Sequence, residues 1–389
     1  MSNKKKILFV QLVNQGGSYK SLFDIITFVK SQNYEIYLLV GREFNFNDPI
    51  KSYLNKVYYI RLGQLSNHTY TNSLRLMMSL PNLLIRIPFD LYSVIKILRT
   101  ENIDVVYINV SNLISVAIAS KLMKKKVIWH VREVIKNNVL GYLHHKIIQH
   151  FSDVIICNSN TSALNFRKKV NIIPNSININ ETKIIRSKEV IRKELGIKDE
   201  AVITIIGTLT KKLAINKGYY FFIELCKTLV DLNININFSF WILGKDDYKN
   251  PPNDEKTKLE DFSKKLKVYT FCKFLGFKEN IFEIINASDI IVIPNLKEEG
   301  FGRVIIEAWS LGKPVVASRI QPNIDLIKDK FNGILAEPND KADFANKIIK
   351  LLKNEIMYNE ISKNAINSCY IDYNQINVNK RLLLLLSNL

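Results

Sequence analysis

The chain has 389 residues, 47% hydrophobic and 23% charged, which fits two or three soluble globular domains. Its four cysteines are far apart and form no CxxC pair, which argues against a disulfide framework or a zinc site and favours reduced thiols. The net charge of +19 is uneven, because residues 1–180 contain 23 Lys and Arg against 9 Asp and Glu, whereas the remainder contains 32 against 27.

Apolar, β-branched runs alternate with helical patterns along the chain, which is typical of parallel sheets covered on both faces. Strands are predicted at Ile7–Val13, Glu35–Val40, Val57–Ile60, Asp104–Ile108, Val127–His130 and Asp153–Cys157, and then at Val202–Gly207, Phe238–Leu243, Val268–Leu275, Ile290–Pro294 and Pro314–Ser318. The polar segment Pro174–Lys188 between the two series has the composition of a linker.

The pattern predicts two doubly wound α/β domains with a cleft between them. We expect the first Rossmann-like domain at residues 1–180 and the second at 181–365. The segment 366–389 is helical in pattern and can pack back on the first domain. Ligands of such sheets lie beyond the carboxyl ends of the strands, so the loops there are the places to look for a site.

A glycine pair, Gly16-Gly17, follows the first predicted strand. Glycines here let a backbone approach a ligand, and the start of the following helix favours an anion. Many tight strand-to-helix turns carry such a pair without any ligand. The loop lacks the G-x-G-x-x-G fingerprint, which argues against a dinucleotide cofactor.

The fifth predicted strand ends in a run of polar residues, Trp129-His130-Val131-Arg132-Glu133. A lone histidine is more often structural than catalytic. A histidine at a strand terminus beside an arginine and a glutamate is a candidate for either role.

The most informative run is Pro294-Asn295-Leu296-Lys297-Glu298-Glu299-Gly300-Phe301-Gly302-Arg303-Val304-Ile305-Ile306-Glu307. A buried strand ends at Pro294, a glycine-rich turn follows, and an amphipathic helix begins near Gly302. Glu299 and Glu307 bracket the turn, so they can bind separate hydroxyls of one ligand while free helix amides face a diphosphate. A capping carboxylate or a surface glutamate explains either residue alone, but not the pair.

The stretch from Glu299 to Glu307 resembles the E-x7-E signature of the family 4 glycosyltransferases, the large retaining GT-B family. The resemblance extends to Trp129-His130-Val131-Arg132-Glu133, Ile173-Pro174-Asn175, Lys217-Gly218, Ala308 to Ser318 and Asn332-Gly333-Ile334-Leu335. It implies the GT-B fold and transfer of a sugar from a UDP- or GDP-linked donor to a glycan or lipid-linked acceptor, in bacterial surface polysaccharide synthesis.

The resemblance also implies roles for single residues. Glu299 would bind hydroxyls of the donor sugar, Glu307 the ribose, and Lys217 the diphosphate. The backbone of Gly300, Phe301 and Gly302 would hold the sugar and phosphates. His130 would lie near the sugar and the acceptor, and Gly16-Gly17 would face the diphosphate.

One departure from the family pattern concerns the phosphates. Many relatives carry Gly-Arg after the first strand of the second domain, whereas this chain has Gly207-Thr208. Lys211 or Lys212 can replace that arginine, and the sequence leaves the choice open.

Retention without an obvious nucleophile suggests front-face attack, in which the leaving phosphate takes the proton of the acceptor. No D-x-D motif is present, and Asp246-Asp247 lies in a polar loop, so neither a metal nor another cofactor is expected.

Three other functions are compatible with parts of the sequence. An NAD-dependent oxidoreductase would share the architecture but lacks its fingerprint, and a GT-B-type sugar-nucleotide epimerase would use the donor without an acceptor. A basic membrane- or nucleic-acid-binding protein would use the positive N-terminal half, but no nucleic-acid motif is evident. Release of nucleotide from UDP- or GDP-sugars separates them.

The charge of the first domain predicts attachment to an anionic membrane at the cytoplasmic face, without crossing it. The expected contact is Tyr70–Thr100, an apolar stretch with basic residues at Arg75, Arg86, Lys96 and Arg99. Pro81 and Pro88 predict that it is not one straight helix. The alternative is a helical pair packed on the first sheet with solvated basic residues.

Overall fold

The computed structural model describes residues 4–12, 17–41, 49–63, 73–179, 182, 184–245 and 255–389. The chain divides into two compact units. Unit 1 comprises Met1–Ser176 and Gln375–Leu389, and unit 2 comprises Ile177–Asn374.

Unit 1 is built on a parallel sheet of seven strands. The strands are β1 (Lys6–Gln11), β2 (Glu35–Val40), β3 (Lys56–Tyr59), β4 (Val105–Ile108), β5 (Lys126–Val131), β6 (Val154–Cys157) and β7 (Asn171–Ile172). Their order in the sheet is β3-β2-β1-β4-β5-β6-β7. Central strands such as β1 and β4 are almost wholly apolar because helices cover both faces.

The helices of unit 1 form a layer on each face of this sheet. They are α1 (Gly17–Ser31), α2 (Ser73–Thr100), α3 (Ile114–Leu122), α4 (Val139–Phe151), α5 (Asn160–Ala163) and, later in the chain, α15 (Gln375–Ser387), with a short 3-10 helix at Pro49–Tyr53. One apolar cluster contains residues of α2, α3 and α4. The other joins α1 to α15 through Leu22, Ile26, Val378 and Leu382.

Unit 2 is built on a parallel sheet of six strands in the order β10-β9-β8-β11-β12-β13. The strands are β8 (Ala201–Thr208), β9 (Phe238–Lys245), β10 (Cys272–Gly276), β11 (Ile290–Ile293), β12 (Val315–Ser318) and β13 (Ile334–Ala336). The helices are α6 (Lys188–Glu194), α7 (Lys211–Asn216), α8 (Tyr219–Asp231), α9 (Glu255–Lys265), α10 (Ile281–Ala287), α11 (Arg303–Trp309), α12 (Asn323–Leu326), α13 (Lys341–Lys353) and α14 (Glu355–Asp372). The expected class of two Rossmann-like α/β domains is confirmed.

Several elements differ from the sequence expectation. Helix α2 continues through Pro81 and Pro88, and both prolines are exposed, so water can bind the carbonyl groups that proline leaves free. The predicted strand Val268–Leu275 begins instead with a 3-10 turn, Tyr269–Phe271, and only then enters β10. The short strands β7 and β13 were not predicted.

Two further expectations concern the cysteines and membrane-spanning helices. All four cysteines are free and buried. Within the described ranges, no helix is both long enough and apolar enough to cross a membrane.

Candidate functional site

A close backbone approach joins the segments that follow β8 and β11, two neighbouring strands of unit 2. Gly218 has a φ of 75°, and a Cβ there would lie 2.0 Å from the carbonyl oxygen of Pro294. The backbone amide of Leu296 also donates to the carbonyl oxygen of Asn216 at 2.8 Å. Because glycine alone combines this conformation with this approach, Gly218 holds the two segments together at the carboxyl edge of the sheet.

Lys217 and Glu299 meet on these joined segments. Nζ of Lys217 lies 3.0 Å from Oε2 of Glu299, and the two side chains are 23% and 28% exposed. Nδ2 of the buried Asn295 donates to the other carboxylate oxygen at 2.8 Å. An ammonium group and an amide therefore fix the carboxylate, and Lys217 keeps hydrogen atoms for a further acceptor.

Gly207 gives the Lys217 side chain its room. A Cβ at Gly207 would lie 2.7 Å from Cδ of Lys217. The lysine stem thus passes over the end of β8, where any larger residue would displace it. Neither Gly207 nor Asn295 was identified as part of the site from the sequence.

Glu307 is held separately, within α11. Nε of Arg303 lies 3.1 Å from Oε1 of Glu307, and both side chains are nearly buried. The i, i+4 spacing places the pair on one face of the helix. Arg303 therefore compensates the negative charge of this nearly buried carboxylate.

The turn between these glutamates has an apolar anchor. Phe301 is 9% exposed and belongs to a core cluster of unit 2, with its ring centroid 6.1 Å from that of Tyr373. Its side chain is thus a packing group, so any contact of Phe301 with a ligand would come from its backbone.

The candidate phosphate contacts lie on and beyond β8. Thr208 ends β8 and is half-buried, whereas Lys211 and Lys212 lie exposed in the first turn of α7. Thr210 caps this helix by accepting from the amide of Leu213. The structure therefore orients two lysines near the end of β8 without singling out either as the substitute for arginine.

His130 lies near the carboxyl end of β5 in unit 1, as predicted, and is almost fully buried. Its Nδ1 lies 2.5 Å from the hydroxyl of Tyr107 and 3.3 Å from Nη2 of Arg132. Arg132 also donates to the side-chain oxygens of Asn109 at 2.8 Å and Asn175 at 2.5 Å. The histidine is thus part of a buried polar cluster built from the ends of β4 and β5 and the segment after β7.

The protonation of His130 follows from this cluster. Burial lowers the pKa of His130 well below its usual value of 6.5, and the nearby positive charge of Arg132 lowers it further. Because the guanidinium of Arg132 can only donate, Nδ1 is the acceptor, so the neutral ring carries its proton on Nε2 and the Tyr107 hydroxyl donates to Nδ1 as well. That Nε2 is buried and has no partner among the described residues. His130 is therefore a neutral donor of one hydrogen bond and a poor proton acceptor.

The glycine loop is described only in part. Gly16 lies outside the described residues, as does Asp246-Asp247. Gly17 begins α1, and no described atom lies within 4 Å of a Cβ built on it.

Metal ligands do not cluster in the described part of the chain. No group of three His, Cys, Asp or Glu side chains in those ranges could hold an ion.

Two Rossmann-like units with these site segments define the GT-B fold class. Residues 187–368, most of unit 2, match the family model described as glycosyl transferases group 1. The solved structure of HepE from Anabaena in complex with UDP and glucose is similar over 99% of this chain and 100% of that one, with a TM-score of 0.79 and 20% identity.

Two curated relatives are similar in sequence. The UDP-Gal:alpha-D-GlcNAc-diphosphoundecaprenol alpha-1,3-galactosyltransferase of Escherichia coli is 29% identical over 53% of this chain and 51% of its own. The N,N'-diacetylbacillosaminyl-diphospho-undecaprenol alpha-1,3-N-acetylgalactosaminyltransferase of Campylobacter jejuni is 33% identical over 24% of each chain. The match thus spans about half of the E. coli relative and about a quarter of the C. jejuni relative.

The first prediction concerns Gly218. Gly218→Ala combines a strained φ with a backbone collision and should destabilise unit 2 by about 3 kcal/mol or more. Gly196→Ala is the matched control, because Gly196 has a φ of 64° but open space around its Cβ position, and it should cost only about 1–2 kcal/mol. Urea unfolding of both variants measures the difference, and equal losses would refute a role for the contact with Pro294.

The second prediction concerns His130. Nitrogen-15 NMR of labelled histidine should show a neutral ring protonated on Nε2 well below pH 6.5, with the signal assigned by its loss in His130→Gln. Since the folded pKa is lowered, protonation favours the unfolded chain, so stability should fall as pH drops below 6.5. Tyr107→Phe removes one donor to Nδ1 and should weaken the preference for the Nε2 tautomer. A His130 signal that titrates near 6.5 would contradict this assignment.

Proposed function

We propose that this protein is a retaining glycosyltransferase that moves a sugar from a nucleotide-sugar donor to a glycan or lipid-linked acceptor. The observation that carries the proposal is the contact of Lys217, Glu299 and Asn295 at the carboxyl edge of the unit 2 sheet. It lies within the stretch that matches the group 1 glycosyl transferases.

The reaction breaks the bond between the anomeric carbon and the donor phosphate and forms a bond from that carbon to an acceptor oxygen. Negative charge grows on the departing diphosphate, and Lys217 is the cation placed to stabilise it. Glu299 binds sugar hydroxyls, and its contacts with Lys217 and Asn295 keep the carboxylate in one orientation. Glu307 binds the ribose of the donor.

Retention follows, in this proposal, from attack on the same face that the phosphate leaves. The departing phosphate oxygen accepts the proton of the acceptor hydroxyl, so no protein base and no metal is required. The neutral state of His130 agrees with this scheme, because its Nε2–H can donate to a substrate hydroxyl but the ring does not readily take a proton.

A uridine diphosphate donor and a diphospholipid-linked acceptor are the preferred substrates of this proposal. Support comes from the complex of HepE with UDP and glucose and from the diphosphoundecaprenol acceptors for which both relatives are named. GDP-sugars remain the alternative donors. The product would be a surface polysaccharide precursor made at the inner face of a membrane.

The third prediction tests the Lys217–Glu299 pair. Glu299→Gln should abolish most transfer, and Lys217→Met should lower kcat by about 10²–10³-fold with a smaller change in KM, because diphosphate charge grows in the transition state. Lys227→Met is the matched control, since Lys227 forms an ion pair with Asp231 on α8 outside the site. Initial rates with UDP- and GDP-sugars and a polyprenyl-diphosphate sugar acceptor provide the readout.

The outcome that contradicts the donor site is near-normal kcat in both Glu299→Gln and Lys217→Met. Nucleotide release with no glycosylated acceptor, together with an epimerised donor, would identify an epimerase instead. Glu307→Ala should mainly weaken nucleotide binding, which titration with UDP and GDP measures.

We also propose that unit 1 attaches to an anionic membrane through the exposed face of α2. Leu84, Ile85, Phe89 and Tyr92 are each more than 60% exposed, and Lys96 and Arg99 are exposed one to two turns further on. Apolar side chains of this kind can enter the headgroup region, while the basic residues attract anionic lipid.

Arg86 has a different role from the one expected. It donates to the carbonyl oxygen of Arg61 and lies 4.0 Å from the buried carboxylate of Asp90. Reversing its charge would disturb the fold, so Lys96 and Arg99 are the residues to alter.

The fourth prediction is that the protein sediments with anionic vesicles at low salt and that binding fades as salt shortens the Debye length to about 8 Å or less. Lys96→Glu with Arg99→Glu should weaken binding and leave donor turnover intact. Lys350→Glu with Lys353→Glu, two exposed lysines in the last turn of α13, is the matched control. Equal binding to neutral and anionic vesicles would contradict electrostatic attachment.

A further inference from the structure

Two lysine triplets that are far apart in the sequence meet at the amino edge of the unit 1 sheet. Lys4–Lys6 leads into β1 and Lys124–Lys126 leads into β5, and β4 lies between these strands. The amide of Asp104 donates to the carbonyl oxygen of Lys6 at 3.0 Å, and the amide of Lys126 donates to that of Asp104 at 3.3 Å. The triplets thus flank a single strand.

The six lysines line a cavity of about 560 Å³, together with Asn102, Asp104, Val105 and Leu389. We call it the lysine pocket. On a convex surface, lysine side chains spread apart and water screens their charges. In a concave pocket the same side chains lie closer together, so the positive electrostatic potential is stronger. The arrangement therefore differs from that of ordinary solvated lysines.

The protein compensates this positive charge in part: Lys6 donates to the carbonyl oxygen of Glu101, and Lys126 attracts the carboxylate of Asp153 from a longer distance. Lys6 lies 3.6 Å from Glu35, and Lys5 donates to the carbonyl oxygen of Leu386. Asp104 is engaged by the backbone amide of Lys6. For the lysines at 4, 124, 125 and 126, the described part of the chain offers no carboxylate within 4.0 Å.

The lining selects the chemistry of a ligand. Ammonium groups bind phosphate as point charges, and several of them together suit an anion with more than one phosphate group. Among the described residues, no aromatic side chain lines the pocket, so they offer no platform on which a nucleobase could stack. A compact phosphorylated anion fits these groups better than a nucleotide or a nucleic acid.

We propose that the lysine pocket is a binding site for a compact anion that carries two or more phosphate groups. Lys126 begins β5 and His130 lies four residues further along the same strand, so the pocket and the histidine are separated by about 13 Å of extended chain. Its occupant therefore does not compete for the His130 end of the sheet. The site does not depend on the proposed transferase activity.

The test is isothermal titration of the full chain with inorganic pyrophosphate and tripolyphosphate at low salt, with sodium sulfate at equal ionic strength as the reference anion. The phosphates should bind saturably and more tightly than sulfate, and added salt should weaken them. Lys125→Gln with Lys126→Gln should raise the Kd by at least about tenfold, because two charge-assisted contacts are lost.

Lys168→Gln with Lys169→Gln is the matched control, since it removes two exposed neighbouring lysines from the same unit but outside the pocket. Unchanged melting temperatures in both double variants show that each is folded. Absence of saturable binding, affinity no higher than for sulfate, or equal weakening in both double variants would overturn the proposal.

Vesicles distinguish the source of the phosphate groups. The vesicles are tested with the Lys96→Glu and Arg99→Glu double variant, in which the proposed α2 attachment is weakened. If phosphatidic acid vesicles bind this variant and pyrophosphate displaces them, the occupant is a lipid headgroup. If pyrophosphate binds but does not displace the vesicles, or if the vesicles do not bind, the occupant is a soluble anion.

Discussion

The approach of Gly218 to Pro294 constrains most of what unit 2 can do chemically. The carbonyl of Pro294 ends a buried strand, so it cannot move without disturbing β11 and its neighbours. The contact of Gly218 with Pro294 fixes the position of the neighbouring Lys217 backbone. The absence of a side chain at Gly207 leaves space for the aliphatic part of the Lys217 side chain. The ion pair with Glu299 is then a consequence of backbone geometry, and its side chains remain partly open to solvent.

The polar groups of the two units lie in different electrostatic environments. Lys217 and Glu299 are half-exposed, so solvent screens their attraction and a ligand can compete for either group. His130 and Arg132 are buried, and the guanidinium of Arg132 donates to the amide oxygens of Asn109 and Asn175. Burial lowers the pKa of His130 most, and the positive charge of Arg132 lowers it further, so the histidine is neutral. The polar cluster of unit 1 is therefore buried and fixed by hydrogen bonds, whereas the ion pair of unit 2 is partly open to solvent.

Much of this arrangement could be predicted from sequence, because parallel strands are continuous apolar runs and site residues follow their ends. The two-residue strand β7 and three-residue strand β13 are too short to show such a run. Pro81 and Pro88 were expected to interrupt the helical stretch, yet α2 continues through both, and both prolines are exposed. The sequence pattern placed Asn295 and Gly207 near the site but did not predict their contacts with Glu299 and Lys217, because those contacts depend on how the loops fold. The sequence pattern therefore predicts the strands and helices and the edge of the sheet where a site lies, whereas side-chain contacts can be read only from the folded structure.

The positions of the strands show where the basic residues of unit 1 lie relative to the two edges of its sheet. Arg132, the cation beside His130, is buried and hydrogen-bonded, so it contributes little to the outer surface of that edge. Lysines gather at the opposite edge, where β1 and β5 begin, and basic residues also end α2 there. The lysine pocket at the amino ends of β1 and β5 therefore lies at the other edge of the sheet from His130, near the carboxyl end of β5. An anion bound in the pocket would leave the histidine edge of unit 1 unoccupied.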